Sequence, residues 1–185
     1  LDPESRVANI DMSPPPKAGG AFGAMAGYIR HAGPGERAAL ARLQPGALQP
    51  HELSALSRAL LAAGLQPDTW RPQTWPRWAL IAQGMALAGH DGSGRLGRQL
   101  ADAGISESRV GKLLTARGDA FRQLLPRILR LLASKGVAPN WFELGELVLM
   151  ESSSVRSDLE HAERLRLQIA GPYFSARARA QANNA

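Results

Sequence analysis

The chain reads as an all-α protein, a compact multi-helix bundle with a flexible N-terminal arm. Three observations carry that expectation. No stretch alternates polar and apolar residues with the period of two that a half-buried strand requires. Aromatic residues are only 5% of the chain against 44% hydrophobic overall, so the apolar content is mostly alanine and leucine instead of the Tyr, Phe and Trp that favour strands. Apolar residues also recur at helical spacing between Gly and Pro breaks. At 185 residues the chain is long enough for one domain, expected over 21–174 and divisible into lobes 21–90 and 91–174 that share a core.

Pro14, Pro15 and Pro16, followed by Gly19 and Gly20, cannot build a helix interior, so residues 1–20 are expected to be the flexible arm. A short helix is predicted over Ala21 to His31. Pro34-Gly35-Glu36 opens the next, with proline at the first turn and an acid near the positive helix end. Pro50 repeats this start signal. Leu53, Leu56, Leu60 and Leu61 follow at helical spacing, and Gly64 is placed to stop the helix. Trp70, Trp75 and Trp78 read as core, and with Pro72 and Pro76 they predict a turn into a buried helix over about Trp78 to Ala88.

Beyond the loop 89–94, helices are expected over about Arg95 to Ala103, Ser106 to Ala116 and Asp119 to Ser134. Ser106 and Asp119 have N-cap chemistry, while Gly104, Gly118 and Gly136 supply the breaks. Pro126 predicts a kink or a second start near Leu125. Asn140 suits the cap of a helix over Trp141 to Met150, and the serines at 152–154 suit the cap of another reaching about Ala170. Gly171-Pro172 is expected to interrupt it, leaving 175–185 as a flexible tail.

The composition excludes several functions. With no cysteine there is no disulfide, thiol nucleophile or thiolate metal site, in keeping with a cytoplasmic location. No apolar run approaches the roughly 20 residues needed to span a bilayer, so no membrane partner is expected. The first 20 residues lack the basic-then-apolar order of a secretory signal.

Gly92, Gly94 and Gly97 spell G-x-G-x-x-G, but that motif needs a strand feeding a helix N-terminus, and nothing before Gly92 reads as a strand. His90, Asp91 and Ser93 are too close along one loop to form a nucleophilic relay. His31, His51, His90 and His161 show no metal spacing. His161 with Glu160 and Glu163 reads as a polar helix face, and Glu143 with Glu146 as a solvated edge. No catalytic residue, metal or cofactor is therefore expected, and the chain reads as a non-enzyme.

One feature survives the same scrutiny. The stretch from Gly92 to Gly136 holds nine basic residues against three acidic ones, which is the whole net charge of +6; the remainder holds thirteen of each. A single-signed excess confined to helical sequence is what a polyanion-binding face looks like. Arg109 and Lys112 share a face offset from Val110, Leu113 and Leu114. In the next helix Phe121, Leu124, Leu125, Ile128 and Leu132 form the apolar stripe, leaving Arg122, Arg127 and Arg130 outside it. Arginine outnumbers lysine 19 to 3, and guanidinium suits bidentate phosphate contacts.

The order of several segments resembles the CasB family, the small subunit of the type I-E CRISPR surveillance complex Cascade. These are Leu96-Gly97-Arg98-Gln99-Leu100-Ala101, GISESRVGKLLTARGD at 104–119, LLPRILRLL at 124–132, Asn140-Trp141-x-x-Leu144, and Pro172-Tyr173-Phe174. Upstream, GERAALARL at 35–43 and the helix over 51–63 are similar to that family's first basic helix and the short helix after it. The sequence departs from the pattern at Leu56-Ser57, where the family often has an aromatic pair, and at Gly171-Pro172.

The resemblance implies a non-enzymatic helical protein, present as two copies in a complex with other Cascade subunits, guide RNA and both strands of target DNA. It implies support of the guide–target hybrid and the displaced strand, with Arg98, Arg109 and Lys112 as contacts, and also Arg37, Arg42 and Arg58. Arg117, Arg122, Arg127 and Arg130 rest on the charge argument. Two other readings compete. A stand-alone helix-turn-helix regulator would use the break between the 95–103 and 106–116 helices as its turn. A protein–protein scaffold would set the arginines against acidic partners.

Overall fold

The computed structural model describes residues 18–183, which contain nine α-helices and no strand. The helices are α1 (Ala18–His31), α2 (Pro34–Ala41), α3 (Pro50–Ala62), α4 (Thr74–Ala88), α5 (Leu96–Asp102), α6 (Glu107–Thr115), α7 (Gly118–Ser134), α8 (Trp141–Met150) and α9 (Arg156–Asn183). Residues 1–17 of the expected arm lie outside the described residues. Ala18, Gly19 and Gly20, assigned to that arm from sequence, instead belong to the first turn of α1.

Proline and glycine punctuation sets most boundaries. Pro34 and Pro50 stand at the first helical positions, and at Pro50 the start is reinforced by a capping box in which Glu52 accepts the Gln49 amide at 2.7 Å. Asn140 caps α8 as expected, accepting the Phe142 amide at 2.9 Å. Other expectations fail locally. Asp119 is not the cap of α7: Arg117 occupies that position, and Asp119 lies in the first turn, where it pairs with Arg122. α4 starts at Thr74, because Pro76 falls in its first turn, where a missing N–H costs nothing. Pro126 starts no second helix; α7 runs unbroken.

The buried apolar residues form one cluster drawing on all nine helices, from Ala21 to Tyr173. On α3 the buried stripe is Ala55, Leu56, Ala59 and Leu60, while Leu53 and Leu61, placed with the apolar face by spacing, are exposed. Trp78 is buried between Phe22 and Trp70, but Trp70 and Trp75 are only half-buried at the cluster's edge. Trp141 lies against Gly84 of α4, where an added Cβ would come within 2.3 Å of the indole, and its N–H donates to the Gly89 carbonyl at 2.8 Å.

The expected interruption at Gly171-Pro172 does not occur, and α9 continues to Asn183. Three features explain the continuity. Gly171 has no Cβ to crowd the proline ring, which relieves the restriction on the residue before proline. The Gln168 carbonyl, deprived of its helical donor by Pro172, accepts from Arg95 at 3.4 Å. Beyond the proline, Tyr173 is fully buried and its hydroxyl donates to the Ile105 carbonyl at 2.7 Å, which anchors the next turn against the α5–α6 break.

Candidate nucleic-acid interface

The basic stretch is carried by α5, α6, α7 and the breaks between them. α5 buries Leu96, Gly97, Gln99 and Leu100, and packs along α9. Gly97 permits this approach: a Cβ there would lie 2.0 Å from the Ile169 carbonyl oxygen. Two members of the G-x-G-x-x-G match thus lie in the loop before α5, and the third is a packing site. Arg98 is left on the outer face, 3.6 Å from Asp102 one turn on.

The loop before α5 is tied down by polar side chains. Gln99, buried, accepts the Asn140 amide at 2.7 Å and donates to the Asp91 carbonyl at 3.0 Å, while Asn140 donates to the Gly94 carbonyl at 2.7 Å. Asp91 accepts both the amide and hydroxyl of Ser93, so these loop residues form a turn and no relay. His90 Nδ1 accepts the Trp141 amide at 3.2 Å, occupying one of the free donors at the α8 N-terminus. Burial pushes the His90 pKa below its ordinary value.

That geometry gives a pH prediction. The unfolded chain takes up a proton at His90 more readily than the folded one, so stability is fully present above about pH 6.5 and falls as the pH drops below it. A protonated Nδ1 would also face the Trp141 N–H as donor against donor. Urea midpoints measured from pH 8 to pH 5 should fall for the native chain and change less for His90→Asn; equal slopes would remove His90 as the cause.

On α6, Val110 and Leu113 are buried and Arg109 and Lys112 are exposed, about 60° apart around the helix at 3.6 residues per turn. On α7 the buried residues are Phe121, Leu125, Ile128, Leu129 and Leu132. Arg127 and Arg130 project from the opposite side, again about 60° apart, and Arg122 is half-buried at its flank. α6 and α7 pack together, so the two exposed pairs belong to adjoining helices. Among the described residues, Arg109, Lys112, Arg127 and Arg130 make no ion pair or side-chain hydrogen bond, and Lys135 at the end of α7 makes none.

The other candidates are engaged within the chain. Arg117 donates to both Glu163 oxygens, at 2.8 and 2.9 Å, and to the Leu114 and Ala116 carbonyls. Arg37 reaches the Arg30 and Ala32 carbonyls at 3.0 and 3.3 Å, tying α2 to the end of α1. Arg42 bonds the Ala38 carbonyl at 3.0 Å, and Arg58 pairs with Glu36 at 2.8 Å. Hydrogen bonds from Arg58 and then Tyr28 hold the Glu36 carboxyl below its ordinary pKa.

Spacing along the chain did not reveal one group. Arg166 is buried on α9, 3.0 Å from Glu163 and 3.9 Å from the equally buried Glu151 at the end of α8. Glu151 accepts the Gly118 amide at 3.0 Å, and Arg166 reaches the Ala116 carbonyl at 3.3 Å. Burial pushes the Glu151 carboxyl up, against the Gly118 hydrogen bond and the nearby arginines. Together with Arg117 this group fixes the α6–α7 break, and hence how the two exposed basic faces are presented.

The acidic residues read as solvated also have partners. Glu143 accepts the Leu96 amide at 2.9 Å, satisfying the first turn of α5, and pairs with Arg95. Glu146 lies 3.1 Å from His161 Nε2, and Glu160 pairs with Arg156 at 3.0 Å. Among the described residues no group of three or more His, Asp or Glu could hold a metal ion, and no helix is long and apolar enough to cross a membrane.

A family model described as CRISPR-associated protein Cse2 matches residues 36–174, a span that includes all ten candidate basic residues. No curated protein and no solved structure matches the chain.

Proposed function

The chain belongs to the Cse2 family of CRISPR-associated proteins, and from that membership we propose that it acts as the non-enzymatic small subunit of a type I-E Cascade complex. In this role it stabilises the R-loop, the guide RNA–target hybrid together with the displaced DNA strand. Two copies assemble with the other subunits, and guide–target base pairing supplies sequence selection. The protein supplies phosphate contacts that tip a nearly balanced strand exchange toward the open state.

The observation that carries this reading is the set of four exposed cations, Arg109, Lys112, Arg127 and Arg130, on adjoining helices with no acidic partner among the described residues. Cations left free of carboxylates are available to displace counterions from a nucleic-acid backbone. A helix-turn-helix regulator fits the packing less well, because α5 commits its buried face to α9 and α6 packs on α7.

The test is the double variant Arg109→Glu, Lys112→Glu within the assembled complex. Both side chains are exposed, so the circular dichroism spectrum and the assembly should be unchanged. Target-DNA retention should fall about 100-fold near 0.1 M salt, roughly tenfold per lost phosphate contact. Unchanged retention would remove the α6 face from the interface.

A further inference from the structure

We propose that the cleft between α1, α2 and the end of α4 holds one unstacked nucleotide of a single strand, its base on apolar side chains and its phosphate on Arg30 and Arg37. The cleft has a volume of about 330 Å³, at the small end of the roughly 300–1,000 Å³ that ligand pockets span, which suits one base-sized group. Ala26 and Ile29 of α1 and Met85 and Ala86 of α4 supply its apolar lining, and the Met85 thioether adapts to the flat face of a ring. The charged and polar lining is Arg30, Arg37 and His90; among the described residues no carboxylate borders the cleft.

The two guanidinium groups select an anion. Arg37 Nη2 donates to both the Arg30 and Ala32 carbonyls, at 3.0 and 3.3 Å, which fixes it beside Arg30 and leaves its Nε and Nη1 donors unused. Arg30 makes no ion pair or side-chain hydrogen bond among the described residues. Two like charges with no carboxylate between them repel each other until an anion enters, and guanidinium donors match phosphate oxygens. His90 completes the lining as a fixed ring, bonded to the Trp141 amide at 3.2 Å and edge-to-face with Phe142 at 4.8 Å. Burial first, and then the charge of Arg30, oppose its protonation.

The source of the nucleotide follows from the place of the cleft along the chain. Ala138, also in its lining, is three residues past Lys135, the exposed and unpaired cation at the end of α7, and three residues span at most about 11 Å. Arg130 is one and a half turns before Lys135, about 7.5 Å along the helix axis. A strand whose phosphates follow Arg127, Arg130 and Lys135 is thereby brought within reach of the cleft. An unpaired strand gives up only stacking when it places one base there. This source rests on the proposed R-loop role, in which the displaced strand is unpaired; the fit of the cleft to a nucleotide does not.

The test titrates deoxyadenosine 5′-monophosphate into the full-length chain and reads methyl NMR signals at its four methionines. The Met85 signal should shift saturably, while Met150, which does not border the cleft, stays in place. Arg30→Gln, at an exposed position without contacts, should weaken binding about tenfold or more through loss of charge-assisted hydrogen bonds, and deoxyadenosine without phosphate should bind similarly weakly. Ala86→Leu fills the cleft without changing charge and should remove the Met85 response while leaving the circular dichroism spectrum unchanged. An unmoved Met85 signal, or equal affinity for inorganic phosphate and the mononucleotide, would overturn the proposal. In the assembled complex, Ala86→Leu should lower target-DNA retention about fivefold or more, the worth of one base contact. Unchanged retention there would overturn the displaced strand as the source. Failure of the R-loop reading shows separately, as unchanged retention with Arg109→Glu, Lys112→Glu, and leaves the mononucleotide titration to decide the cleft.

Discussion

Gly97→Ala is expected to destabilise the fold by about 3 kcal/mol or more, the upper range for overpacking a well-filled core. The methyl group would stand 2.0 Å from the Ile169 carbonyl oxygen and 2.9 Å from the Tyr173 amide nitrogen, and both are helix backbone. No side chain can rotate to make room, so α5 and α9 must separate. The separation would loosen the Tyr173–Ile105 and Arg95–Gln168 hydrogen bonds along the same seam. For a protein of this size about 3 kcal/mol corresponds to a melting temperature lowered by roughly 10 °C. Gly111→Ala on exposed α6 is the control, since nothing lies within 4 Å of its added Cβ and helix propensity favours alanine. Equal melting temperatures for the Gly97 variant and the native chain would show that the α5–α9 contact can yield.

The second large effect is on binding. Replacing Arg109, Lys112, Arg127 and Arg130 together by glutamate should lower target-DNA retention by the assembled complex on the order of 1,000-fold or more near 0.1 M salt. The slope of log K against log salt should become shallower by about 3.6, from four counterion releases at about 0.9 each. The comparison set is Arg58, Arg98 and Arg122, each already within 4 Å of a carboxylate in its own chain. Changing these to glutamine should cost less than about tenfold, because a guanidinium shared with a carboxylate releases fewer counterions. An equal loss from both sets would show that in-chain pairing does not sort the arginines.

Most helices were legible because their ends are written in local chemistry. Pro34, Pro50 and the positive-φ glycines Gly64, Gly104, Gly118 and Gly136 act through their own backbone geometry, and Asn140 through a side chain that bonds the amide two residues on, so neighbours in sequence are enough to reveal them. The misplaced features depend on distant partners. Pro172 reads as a stop until Arg95 is known to occupy the orphaned Gln168 carbonyl. Leu53 and Leu61 keep helical spacing with Leu56 and Leu60, yet the core reaches only one side of α3, and spacing alone does not say where the core ends.

The basic region was legible as a sum of charge but not as a set of contacts. Arg117 looks like Arg127 in sequence, and what separates them is Glu163, forty-six residues away. Arg166 was invisible for the converse reason: an arginine beside Leu165 and Glu163 on a long helix gives no sign that it will be buried against Glu151.

The α5–α9 seam has a consequence for how the molecule matures. Its contacts join residues 68 and 73 positions apart, so neither side can bury its face until most of the chain has left the ribosome. Pairings of such long range close late, after the local helices have formed, and they leave a half-made protein with α5's apolar face open to water. Emergence of Tyr173 therefore separates a collection of nascent helices from a protein able to resist aggregation, and partners that need the finished α6–α7 surface must wait for it.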